Sequence, residues 1–318
     1  MAIEAPGKMK TTGRVAFQGE HGAFSEAAAI QLLGENITTV PRATFDSAFR
    51  AIEEGAADAL LAPVENTLAG SVVRVYDLLL ESKLVIVAET ILPIEHHLIG
   101  VPGATMEGLV SVASHPMALA QCERFFVEHP RLKRVPAEDT AGSVRDVLAS
   151  GDKTAAGIAG RRAAVRYGGV ILAEAIQDNT ENFTRFVLLV PAGEPPSRMT
   201  DAAPAMSAPL TDMMMELRIR RAEQGYTPSA MKLSLALRLA HKPGALLAAL
   251  EPFARHGINL LKIESRPIHG RPWEYQFFLD VQTEKPEPLN QALEAVKAAT
   301  SFLRILGTYA PARGSETA

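Results

Sequence analysis

The sequence predicts an α/β protein built from two successive folded units. Short apolar runs alternate with helical patterns between residues 14 and 190, and a different pattern of strands and helices begins after Met231. A proline-containing stretch separates the two patterns. Because the chain has 318 residues, each unit is large enough to bury its own core. We therefore expect one domain at 14–191, a linker at 192–230 and a second domain at 231–308.

The first unit repeats a strand followed by a helix. It opens with an apolar run at Val15–Phe17 and a helical pattern at Ser25–Leu33, and it closes with the β-rich segment Thr184–Val190. Between these segments, the predicted elements lie, in order, at Phe45–Glu54, Ala59–Val64, Leu84–Leu92, His97–Val101, Met117–His129, Asp139–Ser150, Ala155–Ala159 and Val170–Ala175. This alternation is typical of an open α/β sheet, and it is compatible with a split into two α/β lobes.

The second unit has a different order of elements. A strand at Leu233–Leu239 is followed by a helix that Pro243 opens and Gly257 ends. The remaining elements are a strand at Ile258–Glu264, a strand at Trp273–Val281, a helix at Leu289–Ala299 and a strand at Leu303–Leu306. The order βαββαβ predicts a ferredoxin-like α+β fold. In the linker, Met213–Glu223 is compatible with a helix.

Composition excludes several classes of function. The formal net charge is -4, and Lys and Arg are scattered rather than gathered along one face, so nucleic acid is not an expected partner. Cys122 is the only cysteine, which excludes an intrachain disulfide and a thiolate metal cage. Residues 1–12 contain no apolar core segment, and no later stretch is long enough to cross a bilayer. We therefore expect a cytoplasmic protein with no membrane partner.

Four polar motifs stand at the ends of predicted elements: one at the start of a strand, two between a strand and a helix, and one at the start of a helix. They are Asn182–Phe186, Glu65–Thr67, Ser114–Pro116 and Asp139–Gly142. Strand ends that lead into helices are where open α/β sheets bind ligands, and free backbone N–H groups at helix starts suit an anionic ligand. On its own, each motif is explained about equally well by helix capping or by a plain strand edge.

The first of these motifs carries the chemistry of greatest interest. Strand alternation places Asn182, Thr184 and Phe186 on one face and Arg185 on the other. In a binding site, the guanidinium of Arg185 would hold a carboxylate through two hydrogen bonds, and the hydroxyl of Thr184 would act as a hydrogen-bond donor.

Two further motifs point away from cofactors. Gly19–Ser25 lies between a strand and a helix, but it matches neither nucleotide-binding fingerprint, and Ser25 fits an N-cap better than a nucleophile. His96 and His97 are adjacent on a predicted strand, so their side chains point to opposite faces and cannot hold one metal ion together. Cys122 lies in a helical pattern and is expected to be a small core residue.

Taken together and in this order, the motifs resemble the prephenate dehydratase family, including its arogenate dehydratase branch, over nearly the whole chain. The segments that carry the resemblance are Gly19-x-x-Gly22-x-Phe24-Ser25, Glu65-Asn66-Thr67, Ser114-His115-Pro116 with Ala118-Leu119-x-Gln121-Cys122, Asp139-Thr140-Ala141 and Asn182-x-Thr184-Arg185-Phe186. The second unit resembles an ACT regulatory domain through Gly244-Ala245-Leu246, Asn259 and Glu264-Ser265-Arg266-Pro267. The resemblance implies a two-lobed, periplasmic-binding-protein-like catalytic domain followed by an ACT domain.

The resemblance also implies a reaction. The family removes water and carbon dioxide from prephenate to give phenylpyruvate in phenylalanine biosynthesis, or from arogenate to give phenylalanine. Because aromatisation drives this reaction, we expect no redox cofactor and no metal. By resemblance, Thr184 acts at the leaving hydroxyl, and Arg185 and Asn182 shape the anion site. The implied catalytic residues are Thr184, Arg185 and Phe186, and the implied substrate contacts are Glu65, Asn66, Thr67, Ser114, His115, Thr140 and Asn182.

For the second unit, the resemblance implies a homodimer or homotetramer that binds phenylalanine between its subunits. Phenylalanine would inhibit by favouring one of two quaternary arrangements. The implied contacts are Gly244, Ala245, Leu246, Asn259, Glu264 and Ser265. In the catalytic unit, Thr67 stands where the family usually has serine, which keeps the hydroxyl and stiffens the side chain.

Other interpretations predict different properties. An arogenate dehydratase, or an enzyme of dual specificity, carries the same motifs, because the two substrates differ only by a keto and an amino group. A catalytically inactive amino-acid sensor is a remote alternative that the intact Thr184–Phe186 motif disfavours. A transporter's solute-binding protein would carry a secretory signal, and a prephenate dehydrogenase would need a nicotinamide fingerprint at Gly19–Ser25.

Overall fold

The computed structural model describes residues 13–192, 207–268, 270–271 and 273–312. Packing divides the chain into two units, one formed by residues up to 75 together with 91–186, and the other by 76–90 together with 187 onward. The predicted domain bounds therefore differ from the packing units, because 76–90 packs with the C-terminal residues. Of the predicted linker, 193–206 lies outside the described residues.

The first sheet and its helices are formed early in the chain. The elements up to residue 93 are β1 (Arg14–Gln18), α1 (Phe24–Leu33), β2 (Thr38–Arg42), α2 (Phe45–Glu53), β3 (Ala59–Asn66), β4 (Gly70–Ser71), α3 (Val73–Glu81) and β5 (Leu84–Pro93). Strand β1 lies between β2 and β3 and pairs in parallel with both. This parallel pairing confirms the open α/β pattern that the sequence predicts.

A second sheet follows in the same unit. Its elements, with the strand that returns to the first sheet, are β6 (His97–Gly100), β7 (Ser111–Ser114), α4 (Pro116–Ala120), α5 (Glu123–Glu128), β8 (Lys133–Pro136), α6 (Thr140–Ser150), β9 (Ala155–Ala159), α7 (Arg161–Tyr167), β10 (Val170–Ala173) and β11 (Phe183–Pro191). The strand order is β10-β6-β9-β7-β8, and a short 3-10 helix spans Met106–Gly108. Two sheets in one unit confirm the two α/β lobes.

The predicted helix Met117–His129 is wrong in one respect, because it is two helices. Helix α4 ends at Ala120, and α5 begins at Glu123. The carboxylate of Asp178 accepts hydrogen bonds from the backbone N–H groups of Glu123 (2.9 Å) and Arg124 (3.0 Å). This side chain caps a new helix start. The interruption places Gln121 at the C-cap of α4 instead of within a continuous helix.

The start of α1 also differs from the prediction. Its N-cap is Ala23, whereas Ser25 lies inside the helix and is buried. Glu26, the third helical residue, accepts a hydrogen bond from the backbone N–H of Gly22 at 2.7 Å. A carboxylate in this position satisfies a free N–H group at the helix start, so no capping serine is needed.

The C-terminal unit has the predicted ferredoxin-like topology. Its elements are α8 (Ala208–Glu223), β12 (Met231–Arg238), α9 (Ala245–Arg255), β13 (Asn259–Pro267), β14 (Tyr275–Thr283), α10 (Pro286–Ala299) and β15 (Phe302–Tyr309). The strand order β13-β14-β12-β15 confirms the βαββαβ arrangement. Leu233, Leu235 and Leu237 of β12 pack in the core of this unit with Leu289 and Val296 of α10.

Helix α8 is longer than the helix-compatible stretch in the sequence, because it begins at Ala208. Three residues on one side of it, Leu210, Met213 and Leu217, are buried. Within the described ranges, no helix is both long and apolar enough to cross a membrane.

Residues 84–90 of β5 belong to the C-terminal unit and lie against β15. Gly307 of β15 pairs with Ile86 of β5. A Cβ atom on Gly307 would come within 2.2 Å of the Ile86 carbonyl oxygen, so the two strands approach this closely only because residue 307 has no side chain. Strand β5 therefore joins the sheet of the C-terminal unit before the chain continues to β6.

A buried ion pair also connects β5 with β12. Lys232 Nζ lies 2.9 Å and 3.1 Å from the two carboxylate oxygens of Glu89, and the backbone N–H of Ala312 donates to the same carboxylate at 2.9 Å. The side chains of Lys232 and Glu89 are 5% and 0% exposed. Because a buried charge is very costly without its partner, each of these two residues depends on the other.

We expect Lys232→Met to lower the free energy of unfolding by about 3–5 kcal/mol, because it leaves the Glu89 carboxylate buried without a cation. Urea denaturation followed by circular dichroism measures this loss. The double variant Lys232→Met, Glu89→Gln should recover part of it, because the buried charge is then gone.

The matched control for Lys232→Met is Arg255→Met, which breaks the exposed pair Arg255–Glu251 on α9. Exposed pairs contribute about 0–1 kcal/mol, so the control should change stability little. Equal losses in Lys232→Met and Arg255→Met would contradict the assigned role of burial.

Candidate active site

The candidate site is built on the ends of β3 and β11, which are neighbours in the first sheet. Asn66 ends β3, and its Oδ1 accepts hydrogen bonds from the backbone N–H groups of Leu68 (3.0 Å) and Ala69 (2.8 Å). Because a backbone N–H can only donate, these two bonds identify which side-chain atom of Asn66 is the oxygen. The amide nitrogen of Asn66 is therefore the donor on the other side.

The Asn66 amide nitrogen donates towards three acceptors at the start of β11. It lies 2.8 Å from Asn182 Oδ1, 2.9 Å from Thr184 Oγ1 and 3.1 Å from the Phe183 carbonyl oxygen. The Thr184 hydroxyl thus accepts a hydrogen bond from Asn66, and its own hydrogen points elsewhere. Among the described residues, no other group bonds the Thr184 side chain, which is 8% exposed. The structure leaves Thr184 ready to donate to a ligand.

Gln121 belongs to the same network, although the sequence analysis does not assign it to the site. Asn182 Nδ2 donates to Gln121 Oε1 at 3.2 Å, and His96 Nε2 lies 2.9 Å from the same oxygen. The amide nitrogen of Gln121 has no partner among the described residues. Gln121 does lie in a segment that carries the family resemblance. The helical pattern around Gln121, however, does not indicate the interruption between α4 and α5 that turns its side chain towards Asn182.

Thr67 connects the ends of the two strands. Its hydroxyl donates to the Glu181 carbonyl oxygen at 2.7 Å and accepts from the Phe183 N–H at 2.9 Å. Its backbone N–H also donates to the Phe183 carbonyl oxygen at 2.9 Å. The hydroxyl of Thr67, a predicted substrate contact, thus already makes two hydrogen bonds within the protein. These bonds hold the loop that carries Asn182.

Arg185 and Glu65 face each other on the neighbouring strands. Arg185 Nη1 lies 3.9 Å from Glu65 Oε2, and the two side chains are 12% and 38% exposed. Arg185 and Thr184 are consecutive on β11, so their side chains leave the strand on opposite sides. Phe186, the third residue of the implied catalytic set, is only 2% exposed and supports the strand from within the core.

Three predicted contacts lie in the second lobe, one at the end of a strand and two at the starts of helices. Ser114 ends β7, is fully buried and donates its hydroxyl hydrogen to the Ile158 carbonyl oxygen at 2.7 Å. His115 is the exposed N-cap of α4, where its Nδ1 accepts from the Met117 N–H at 3.2 Å. Thr140 is the first residue of α6, which Asp139 caps. The segment that starts at Ser114 reaches the Asn66 network through Gln121, at the other end of α4.

The two adjacent histidines have different partners. His96 lies against Gln121, whereas His97 Nδ1 accepts from the Ala175 N–H at 3.2 Å. Within the described residues, no three His, Cys, Asp or Glu side chains converge to hold a metal ion. Cys122 is buried, and this burial raises the pKa of its thiol to about 12. Cys122 is therefore a thiol at neutral pH, as expected for a core residue.

The Gly19–Ser25 loop is held by a buried carboxylate. Glu26 is 3% exposed and accepts hydrogen bonds from His21 Nδ1 (2.8 Å), the Gly22 N–H (2.7 Å) and Thr39 Oγ1 (2.7 Å). Arg162 of α7 adds a fourth bond at 3.1 Å. Burial alone would raise the pKa of Glu26, but these bonds and the Arg162 charge outweigh it and hold the pKa at about 2. The loop thereby joins the first lobe to the second.

The low pKa of Glu26 predicts how the stability of the protein changes in acid. The pKa of Glu26 is about 2 in the folded chain, against 4.5 for an ordinary glutamate. Its stabilising contribution, about 3 kcal/mol, is complete above pH 4.5 and is lost as the pH falls towards 2. Glu26→Gln should therefore be less stable than the parent protein at pH 7, and the difference should shrink below pH 4.5. Urea denaturation at a series of pH values measures it.

Glu35→Gln is the control for Glu26→Gln, because Glu35 faces the same Arg162 at 3.5 Å but is 73% exposed. It should have little effect at any pH. A stability difference between Glu26→Gln and the parent that stays constant from pH 7 to pH 3 would contradict the role assigned to Glu26.

In the C-terminal unit, the residues implied to bind phenylalanine fall into two groups. Gly244 is the N-cap of α9 with φ 76°, and Ala245 and Leu246 follow it. Glu264 and Ser265 lie near the end of β13, whereas Asn259 begins that strand. The register places Asn259 level with Gln282 and Lys232, and Arg266 level with Gln276 and Arg238. Asn259 therefore lies at the opposite end of the sheet from Glu264 and Ser265.

Comparison with known proteins agrees with this architecture. The profile described as "Prephenate dehydratase" matches residues 15–193, and the profile described as "ACT domain" matches 234–298. An arogenate dehydratase/prephenate dehydratase 1 of Arabidopsis thaliana is 38% identical over 93% of this chain and 71% of its own. Arogenate dehydratase 1 of Petunia hybrida is 39% identical over 94% of this chain and 67% of its own.

Solved structures have the same fold. A prephenate dehydratase from Arthrobacter aurescens in complex with L-Phe is 29% identical, covers 93% of this chain and 89% of its own, and has a TM-score of 0.75. A protein described as GqqA, a novel type of quorum quenching acylase, is 31% identical with a TM-score of 0.78, covering 94% and 98% of the two chains.

The two-lobed α/β unit, its polar strand ends and the attached ferredoxin-like sheet define an enzyme of the dehydratase type, a carbon–oxygen lyase with a regulatory ACT domain. The agreement extends over nearly the whole sequence. The chain belongs to the prephenate dehydratase family.

Proposed function

We propose that this chain converts prephenate to phenylpyruvate in phenylalanine biosynthesis. The observation that carries the proposal is the Thr184 hydroxyl, which accepts from Asn66 and keeps its own hydrogen for a ligand. Family membership supplies the substrate class. The reaction needs such a donor, because a hydroxide cannot leave a ring carbon unless its developing charge is stabilised.

In the proposed step the ring loses its carboxylate and its hydroxyl group. The bond between the ring and the carboxylate breaks, and carbon dioxide leaves without the electron pair. That pair moves into the ring, which becomes aromatic as the bond to the hydroxyl group breaks. The hydroxide leaves with the electron pair of the broken C–O bond and takes up a proton from the solvent to become water. Thr184 donates a hydrogen bond to this oxygen, which requires positioning rather than a strongly acidic side chain.

Other site residues have supporting roles in this proposal. Arg185 would attract a substrate carboxylate from its position beside Glu65. The amide nitrogen of Gln121, which has no partner in the described part of the chain, would donate to an oxygen of the substrate. The helix starts at His115 and Thr140 supply backbone N–H groups that suit an anion.

Thr184→Ala should lower kcat by about 100-fold to 1,000-fold, because it removes a donor that acts on developing charge. Substrate affinity should stay within about threefold, because the hydrogen bond strengthens only as the hydroxide leaves. Stopped assays for phenylpyruvate measure kcat, and fluorescence or calorimetric titration measures binding.

Thr184→Ser keeps the hydroxyl and serves as the matched control, with kcat within about tenfold of the parent. Thr184→Val keeps the shape of the side chain and should behave as Thr184→Ala does. Near-normal turnover in the valine variant would remove Thr184 from the mechanism.

Arogenate is the second candidate substrate, because the relatives include proteins named arogenate dehydratase at 38–39% identity. It differs from prephenate by an amino group in place of a keto group. Measuring kcat/KM for both substrates on one enzyme preparation decides between them. A higher value for arogenate would replace prephenate in the proposal.

The likeness to a quorum quenching acylase does not favour acyl transfer at these residues. That chemistry needs an activated nucleophile. The Cys122 thiol has its pKa raised to about 12 by burial, and the Ser114 hydroxyl donates to a backbone carbonyl. Among the described residues neither group is hydrogen-bonded to a base, so dehydration is the better-supported reaction.

We also propose that phenylalanine binds the ACT domain between two copies of the chain. Asn259 and Glu264 are five residues apart on β13, a span of about 16 Å. One small ligand therefore cannot contact both within a single chain. Strand β13 is at the edge of its sheet, so a second copy placed alongside in the opposite direction would bring its own Asn259 near Glu264.

Calorimetry should show phenylalanine binding with one site per chain and two equivalent sites per dimer. Asn259→Ala and Glu264→Ala should each weaken it, although they are far apart in one chain. Mixing the two variants should restore normal sites in mixed dimers. In such a dimer, one of the two sites contains both Asn259 and Glu264, and the other site contains neither. Absence of any phenylalanine binding to the parent protein would contradict this proposal.

We propose a cytoplasmic location for the enzyme. Supporting it, the only cysteine is a buried free thiol, which suits a reducing compartment. Cell fractionation with an antibody against the chain tests this.

A further inference from the structure

We propose that His96 is a positioning residue for the dehydration reaction. Its Nε2–H holds the side-chain oxygen of Gln121, so that the amide nitrogen of Gln121 is directed to a substrate bound at Thr184. This inference rests on the proposed dehydratase function. It assigns a role to a buried histidine in the short connection between β5 and β6. This histidine is not part of the motifs that carry the family resemblance.

The direction of every hydrogen bond in the network follows from the turn after β3. Backbone N–H groups fix the oxygen of Asn66, so the Asn66 nitrogen must donate to Asn182 Oδ1. The Asn182 nitrogen then donates to Gln121, and the atom that receives this bond must be the Gln121 oxygen. A ring nitrogen 2.9 Å from that oxygen can only be a donor. His96 therefore carries a hydrogen on Nε2.

The other ring nitrogen of His96 shows why a histidine stands here. His96 is 2% exposed, and within the described residues its Nδ1 is buried without a hydrogen-bond partner. Leaving a buried acceptor unpaired is costly. Phe24 packs edge-on against the imidazole with ring centroids 5.6 Å apart, so an aromatic hydrocarbon ring would fit these surroundings without that cost. The function that a hydrocarbon ring lacks is the Nε2–H.

Residues 176 and 177, which follow β10, hold the backbone of His96 in place. Its N–H donates to Gln177 Oε1 at 2.9 Å, and its carbonyl oxygen accepts from the Ile176 N–H at 2.8 Å. The imidazole thus projects from a fixed point. Gln121, at the end of the five-residue helix α4, has its oxygen held between His96 and Asn182. With both bonds intact, only the amide nitrogen is free to turn towards a ligand.

A double-mutant cycle tests the coupling. His96→Phe should lower kcat by about tenfold with a small change in KM, as expected for loss of one positioning hydrogen bond. In the Gln121→Ala background, the same substitution should change kcat by less than about twofold, because the side chain it positions is absent. An equal loss in both backgrounds, or no loss in the parent, would overturn the proposal.

Two further variants separate positioning from simple destabilisation. His96→Gln presents an amide N–H that can reach the Gln121 oxygen, so it should recover most of the kcat that His96→Phe loses. His97→Asn removes the neighbouring histidine, which is equally buried but does not contact Gln121. Any effect of His97→Asn should be the same with and without Gln121. A Gln121-dependent effect at His97 would overturn the specific role of His96.

The tautomer can be observed directly. Selective ¹⁵N labelling of histidine should show one ring, assigned by its loss in His96→Gln, with hydrogen on Nε2 and none on Nδ1 at pH 7. The opposite tautomer would overturn the proposal. If the parent enzyme turned over neither prephenate nor arogenate, the proposed function would fail, whereas the ¹⁵N result would still report on the hydrogen bond itself.

Discussion

The orientation of a single amide, that of Asn66, determines which atoms of the site donate and which accept. Two backbone N–H groups in the turn after β3 bind its oxygen, so its nitrogen must be a donor. The donor and acceptor roles of the groups that it contacts follow from this, because each donor needs an acceptor. Thr184 is thereby an acceptor towards the protein and a donor towards the ligand. The chemistry of the site thus depends on the local shape of the turn after β3, which holds the oxygen of Asn66.

Both units use the same device to connect segments that are distant in sequence. Glu26 meets Arg162, and Glu89 meets Lys232, in each case with a backbone N–H bound to the same carboxylate. A buried carboxylate is costly without its partners, so each of these contacts favours one arrangement of the segments that it joins. In the first unit the arrangement is that of the two lobes, and in the second it is that of β5 against the regulatory sheet.

The sequence was sufficient for the fold class and for the order of strands and helices, because these follow from local periodicity. It was insufficient where a distant residue decides. Asp178 divides the predicted helix at Met117–His129, and nothing in that segment indicates that a residue 55 positions after Glu123 caps a new helix there. Gln121 was missed for this reason, whereas Asn66, Asn182 and Thr184 were identified through the family resemblance and meet in space. Periodicity also could not show that Phe186 is buried.

The contacts of strand β5 limit how the ACT domain could be transferred between proteins in evolution. The ACT profile covers 234–298, yet the sheet relies on Ile86 beside Gly307 and on Glu89 beside Lys232, and the ring of Tyr76 lies 4.8 Å from that of Phe278. A gene segment cut at the sequence boundary would leave these contacts behind and uncover a buried lysine. In this chain the ACT domain is not a freely exchangeable module, and domain shuffling would have to carry residues 76–90 along with it.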